Sequence, residues 1–346
     1  MAVLAANNLP DRVADVEALE ELLSRPSRAL IDDLAALKGD IIILGVGGKV
    51  GPCLARMAKR AAPEKRVVGV ARFTDTAVRQ RLEDWGVETI ACDLLDRDGV
   101  NALPQLPNVI YMAGKKFGTS GGEPFTWAMN AHVPALVAEA FAASRIVAFS
   151  TLCVYPFVDV TGPLCNEDVA PVPVGEYANS CVGRERIFQY FSQLHGTPGR
   201  LIRLNYAIDL RYGVLYDIAN WAYTSQSINL RAGHANVIWQ GDVNAQVIRA
   251  LGHCETPSRP LNMGGPEQVR VRDLAIAFGQ RFGIEPKFEN QESGMGWHND
   301  TSLASKLFGY PEVPLSRMID WTVDWTERDQ PHYDLPTHYE ARDGSF

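Results

Sequence analysis

The stretch Ile41-Ile42-Ile43-Leu44-Gly45-Val46-Gly47-Gly48-Lys49-Val50-Gly51, followed by Pro52-Cys53-Leu54-Ala55-Arg56-Met57, decides how the chain is read. A continuous aliphatic run, three glycines at spacing three and a helix-forming segment together predict a buried parallel strand, a tight turn and a helix N-terminus. Such a turn is built to receive a dinucleotide pyrophosphate: free N–H groups and the positive end of the helix dipole face the anion, and missing side chains let the backbone approach it. Gly45 is expected to make the turn, Gly48 the close approach and Gly51 the helix-to-strand packing. Gly47, Lys49 and Val50 complete the expected cradle.

Working outward, strands and helices alternate from Asp40 onward, which implies right-handed parallel crossovers and a doubly wound α/β sheet. The second strand is predicted at Arg66–Phe73. Its end, where an acidic residue usually accepts the ribose hydroxyls of NAD, carries Ala71 and Arg72. Removing a carboxylate removes repulsion toward a 2′-phosphate, and a guanidinium pairs with that phosphate, so the reading leans to NADP with NAD as the alternative. The third strand, Val87–Leu94, ends in Asp93-Leu94, placed to meet the adenine. The fourth, Asn108–Gly114, ends in Met112-Ala113-Gly114, small enough for the cofactor to pass, with Lys116 in reach of a ribose or phosphate. The fifth, Arg145–Phe149, delivers Ser150 and Thr151 at its carboxyl end, and a long helix opens at Glu176-Tyr177 and runs through Phe191. Leu201–Asn205 is a further strand.

Bulk properties narrow the function. The 346 residues are enough for one large α/β domain or two smaller ones, and 46% hydrophobic with 21% charged residues is ordinary for a globular enzyme. A net charge of −8 argues against nucleic acid and anionic membranes as partners, while leaving a small phosphorylated ligand open. No apolar run reaches the roughly 20 residues needed to span a bilayer, and the N-terminus lacks a signal-peptide pattern, so a cytoplasmic location is expected. Cys53, Cys92, Cys153, Cys165, Cys181 and Cys254 show no CxxC spacing, and the seven histidines show no paired ligand spacing. Reduced thiols and no metal site are the expectation.

The glycine pattern, Asp93-Leu94, "YMAGKK" at 111–116, Asn130 in "WAMNAHVPALVAEA", "FSTLCVY" at 149–155 and "EYANS" at 176–180 resemble, in that order, the extended short-chain dehydrogenase/reductase family. This is the NAD-dependent epimerase/dehydratase group to which UDP-galactose 4-epimerase belongs. "VIWQGDVNAQVIRAL", "LNMGGPEQVRVRDLAIAFG" and "DTSLASKLFGYPEVPLSRMIDWTVDW" are similar to its later segments, so the resemblance covers residues 40 to 326. It implies that Tyr177 is the acid/base and Thr151, 26 residues earlier, the ligand of the same substrate oxygen, with Ser150 as the alternative. It adds Asn130 to the cofactor contacts and places Asn205, Tyr206, Arg211, Tyr212, Arg231 and Trp239 on the substrate side. Arginines and aromatics suit a sugar, a sugar acid or a nucleotide-sugar.

One position departs from the family pattern. Cys181 stands where a lysine would hold the ribose and depress the tyrosine. A free tyrosine titrates near pH ~10, and each unit of missing depression is worth about 1.4 kcal/mol. Arg184, three residues on along nearly the same helical face, is one replacement for that charge; Lys115 or Lys116 with an oxidised nicotinamide is another. Cys181 is expected to be a buried thiol rather than a nucleophile. The leading expectation is an NAD(P)-dependent oxidoreductase or epimerase; the rival is a catalytically impaired NADP-binding regulatory protein.

Three regions are expected: an N-terminal helical extension (1–39), a dinucleotide-binding domain (40–206 with about 237–266) and a smaller substrate domain with tail (207–236 with 267–346). In the extension, Val13, Val16, Leu19, Leu22 and Leu23, then Leu30, Ile31, Leu34 and Leu37, predict two short helices, the second ended by Gly39. They read as a hairpin packed on the body, with a regulatory or dimerising arm as the alternative. The tail after 326 is expected to wrap the surface or a neighbouring subunit, and a homodimer is one arrangement left open.

Overall fold

The computed structural model describes residues 3–335 and 337–344. Seven strands, β1 (Ile41–Leu44), β2 (Val67–Ala71), β3 (Glu88–Ala91), β4 (Asn108–Tyr111), β5 (Arg145–Thr151), β6 (Gly199–Leu204) and β7 (Arg259–Met263), form one sheet. Its order is β7-β6-β5-β4-β1-β2-β3, and every neighbouring pair is parallel. β1 and β4 are fully buried, as the aliphatic run of β1 and the Val109-Ile110 centre of β4 require of strands covered on both faces. Between β1 and β4 the winding reverses, so the carboxyl ends of these two strands part and leave a crevice where an open α/β sheet takes ligands.

Strand ends differ from the expectation by a few residues. β2 and β3 stop at Ala71 and Ala91, so Arg72 and the Asp93-Leu94 pair lie on loops just beyond the sheet. β5 runs two residues further than predicted, carrying Ser150 and Thr151 as its last strand residues. The helix bearing Tyr177 extends over Gly175–His195 and ends on Gly196 in a left-handed conformation.

A second lobe is built from the connection between β6 and β7 and from the chain after β7. Tyr206–Ile208 pairs with Val237–Trp239, and the helix Val214–Tyr223 packs between helices Val271–Phe282 and Leu315–Glu327. The N-terminal helices, Val16–Leu23 capped by Asp15 and Arg28–Ala36 capped by Ser27, join two different cores. Leu19, Leu22 and Leu23 enter the second lobe's core beside Trp239, Trp321 and Trp325, whereas Leu30 and Leu34 pack against Ile41, Ile43 and Leu54 under the sheet. At about 1.5–3 kcal/mol for each buried aliphatic side chain, the extension is part of both cores. Among the described residues no helix is long and apolar enough to cross a membrane, and no group of three or more metal-ligating side chains occurs.

Candidate active site

The glycine turn separates into positions the fold demands and one it does not. Gly45 has φ +93° and donates its N–H to the Val70 carbonyl at 2.8 Å; a Cβ there would lie 2.6 Å from the Ala113 nitrogen. A Cβ on Gly51 would collide with the Val46 carbonyl, which fixes how closely the helix Gly51–Ala61 approaches the turn. A Cβ on Gly48 meets nothing nearer than the Gly45 oxygen at 3.9 Å. Packing therefore leaves Gly48 free to vary, and its bare backbone faces open space at the mouth of a cavity of about 280 Å³.

That cavity brings together most of the expected cofactor residues: Gly45, Gly47 and Gly48 of the turn, Ala71 and Arg72 after β2, Asp93 and Leu94 after β3, and Met112, Ala113 and Gly114 after β4. Phe73 and Asp75, which the sequence reading did not single out, complete its outer wall. A dinucleotide's adenosine half fits this chemistry: an apolar slot between strand ends, with an exposed guanidinium at its rim.

Lys49, Val50 and Lys116 line a second cavity instead, a chamber of about 200 Å³ at the carboxyl end of β5. Its wall holds Ser150, Thr151, Tyr177, Asn205 and Tyr206. The Tyr177 phenol and the Thr151 hydroxyl line the same wall, and the hydroxyl holds the phenol's titration down. Ser150 donates to Glu185 Oε1 at 2.6 Å, and that buried carboxylate is clamped by Arg203 through Nε (3.0 Å) and Nη2 (2.8 Å). The serine proton is thus committed beneath the chamber floor, leaving Thr151 as the hydroxyl beside the phenol.

Four residues after Tyr177 the helix presents the Cys181 thiol, and the charge that acts on the phenol is that of Arg184. Burial drives the Tyr177 phenol well above its ordinary range, the neighbouring Cys181 and Cys153 add to this, and Arg184 opposes it only through its charge. Burial also pushes the Cys181 thiol to about 11, so it is a neutral group packed against the phenol, as expected of a buried structural thiol. Arg184 is buried under Gly114, donating to the Phe149 carbonyl (2.9 Å) and to Asn130 Oδ1 (2.6 Å). Lys115 does not line the chamber; its ammonium sits over the Phe125 ring.

Asn130 stands apart from both cavities. Its oxygen also accepts the Lys115 N–H, and its amide donates to the Lys115 carbonyl and to Ser180 Oγ, so it ties the β4 loop to the Tyr177 helix. On the substrate side, Asn205, Tyr206 and Tyr212 line the chamber, the first held by Asn299 Oδ1 at 2.6 Å. Arg211 does not: it is paired with Asp209 (2.7 Å) and with Glu20 of the N-terminal extension (3.2 Å), beside a separate cavity at the outer face of the glycine turn. Arg231 is exposed and lines none of the cavities described, and Trp239 lies wholly in the second lobe's core.

Sequence reading missed Trp297, Thr337 and Tyr339, which also line the chamber. The tail wraps its own body: Thr337 gives its N–H and hydroxyl to Asp217 Oδ2 (2.9 and 2.6 Å), its carbonyl lies 3.5 Å from Lys116 Nζ, and Arg342 donates to the Arg231 and Met295 carbonyls. No local pattern in the sequence signals these contacts.

Strand order, glycine turn and the cavities at the carboxyl ends of the strands define a doubly wound, Rossmann-like α/β fold with a second lobe. No protein-family model matches the chain, and no curated protein matches it by sequence. Solved structures do share its fold. The UDP-glucuronic acid 4-epimerase of Bacillus cereus, solved with UDP-glucuronic acid and NAD, superimposes with a TM-score of 0.68 at 20% identity, over 84% of this chain and 99% of that one. The Thermus thermophilus UDP-glucose 4-epimerase with NAD gives 0.67 at 19%, over 83% and 99%. DesIV, a dTDP-glucose 4,6-dehydratase from Streptomyces venezuelae with NAD bound, gives 0.69 at 16%, over 84% and 97%.

Proposed function

We propose that the protein is an NAD(P)-dependent oxidoreductase or epimerase acting on a sugar, sugar acid or nucleotide-sugar. The observation that carries the reading is Tyr177 and Thr151 together in a chamber also lined by Lys49 and Val50, the two residues following the exposed Gly48. The likeness in fold to NAD-bound sugar-nucleotide epimerases and a dehydratase supports it. The glycine turn would hold the pyrophosphate and Arg72 a 2′-phosphate, which favours NADP over the NAD of those relatives. A nicotinamide bound in the chamber supplies a hydride acceptor or donor and, when oxidised, positive charge near the phenol. Tyr177 would take or return the proton of a substrate hydroxyl, Thr151 would hydrogen-bond the same oxygen, and Trp297 and Tyr339 would exclude water above them.

The raised Tyr177 and the neutral Cys181 favour a second reading, an NADP-binding protein with little or no turnover. Reduced-nicotinamide absorbance and exchange of labelled hydride, followed with sugars and NADP on the wild type and on Tyr177→Phe, separate the two. Tyr177-dependent exchange supports the enzyme; tight cofactor binding without exchange supports the regulator.

A further inference from the structure

Resting on that reading, we propose that the chamber beside Tyr177 takes a compact anionic sugar, a sugar acid or sugar monophosphate, and that Lys49, Lys116 and the C-terminal Tyr339 bind it in preference to a nucleotide-sugar.

Size argues first. Sites for drug-sized ligands span about 300–1,000 Å³. The chamber measures about 200 Å³, below that range, and must also admit a nicotinamide ring, so a hexose-sized group suits it better than a second nucleotide. The C-terminal segment sets that limit, because Thr337 and Tyr339 form part of the wall and Asp217 fastens Thr337 there through two hydrogen bonds.

Charge argues next. Two ammonium groups, those of Lys49 and Lys116, line the chamber, and no carboxylate does among the described residues. Lys49 Nζ lies 4.0 Å from the Tyr212 ring centre, and burial lowers it to about 8, so it is still mostly protonated at neutral pH and gains from a bound anion. The half-buried Tyr206 and Tyr212 add aromatic rings of the kind that cover a sugar ring.

The third observation is an orphaned polar group. Tyr339 is 1% exposed, lines the chamber, and its hydroxyl has no hydrogen-bond partner among the described residues. A buried hydroxyl without a partner is a cost to the fold; this one is closed to water, so a ligand oxygen relieves it once the ring turns toward the chamber. Tyr339→Phe separates the two roles. A merely structural phenol becomes a ring of the same shape with no lost bond, so the fold keeps or gains stability, whereas a ligand-binding phenol loses its ligand.

The test is calorimetric titration of the full chain saturated with NADP, using D-glucuronate, glucose 6-phosphate, UDP and UDP-glucose as probes. At least one of the two acids should bind at millimolar or lower concentration, glucuronate marking a carboxylate site and glucose 6-phosphate a phosphate site. Tyr339→Phe should weaken it about tenfold without lowering the melting temperature, and Lys49→Gln should weaken it at least as much. UDP and UDP-glucose should give no saturable heat. Binding of either uridine nucleotide as tightly as the acids, binding of neither acid, or an affinity unmoved by both substitutions would overturn the proposal. Saturation with NADP is checked beforehand on the same sample. A chain that holds no nicotinamide nucleotide contradicts the proposed function itself, while a chain that holds it and binds neither acid contradicts only this assignment.

Discussion

Replacing Cys181 with lysine probes how the phenol is tuned. Residue 181 lies one helical turn after Tyr177, and Tyr177 packs against the cluster that holds its present thiol, so a side chain there lies beside the titrating group. A unit charge about 4 Å away in an environment of effective dielectric ~20 is worth about 4 kcal/mol, or about 3 pKa units. Burying the new ammonium beside Arg184 returns part of this, leaving a net lowering of about 1–2 units. Below its pKa the phenolate fraction rises tenfold for each unit, so kcat/KM for sugar oxidation near neutral pH should rise about 10- to 100-fold, with the alkaline limb moved to lower pH by the same amount. The assay is the pH–rate profile from reduced-nicotinamide absorbance, with tyrosinate absorbance following the phenol directly and a melting curve showing that the variant folds. A folded Cys181→Lys that binds NADP and leaves the limb and the tyrosinate titration unmoved would refute the reasoning.

Other outcomes follow from particular contacts. Arg72→Ala should weaken NADP binding about tenfold and leave NAD within about twofold, because only the 2′-phosphate loses a partner; equal losses for both would remove Arg72 from that role. Leu23→Ala, at a position with no exposed surface, should cost about 2–5 kcal/mol in urea unfolding without changing the sedimenting mass; a changed mass with unchanged stability would mark the N-terminal extension as an association arm. Burial raises Asp217 to about 6, so its contribution to stability is full below pH ~4 and is lost as pH climbs through 6, a difference of about 3 kcal/mol by linkage. Asp217→Asn keeps an acceptor for Thr337 and should abolish that part of the pH dependence; parallel stability curves for the two proteins from pH 4 to 8 would contradict it.

Much of the nucleotide half was legible because its signals are local. The aliphatic run of β1, the Val109-Ile110 centre of β4 and the glycines at spacing three specify strand, turn and helix from neighbours in sequence, and Ala71, Arg72, Asp93 and Gly114 follow from strand ends. Side-chain commitments were not legible, since they depend on distant partners. Ser150 and Thr151 are adjacent, chemically alike and both line the chamber, and only Glu185, 35 residues on, commits the serine proton elsewhere. Arg211 has the composition of a ligand-binding arginine, yet Asp209 and Glu20, the latter 191 residues away, engage it. Tyr339 reaches the Tyr177 chamber through a tail whose sequence is polar and without periodicity, so its placement is a property of tertiary packing alone.

The central claim is that the turn at Gly45–Gly51 grips a nicotinamide nucleotide, and fluorescence titration with NADPH and NADH tests it most directly when run on wild type, Gly48→Val and Gly51→Val together. The wild type should bind, Gly48→Val should melt at the wild-type temperature with its binding lost, and Gly51→Val should lose the fold, because its side chain meets the Val46 carbonyl. A wild type with no affinity for either nucleotide, or a Gly48→Val that binds as well as the parent, would contradict it.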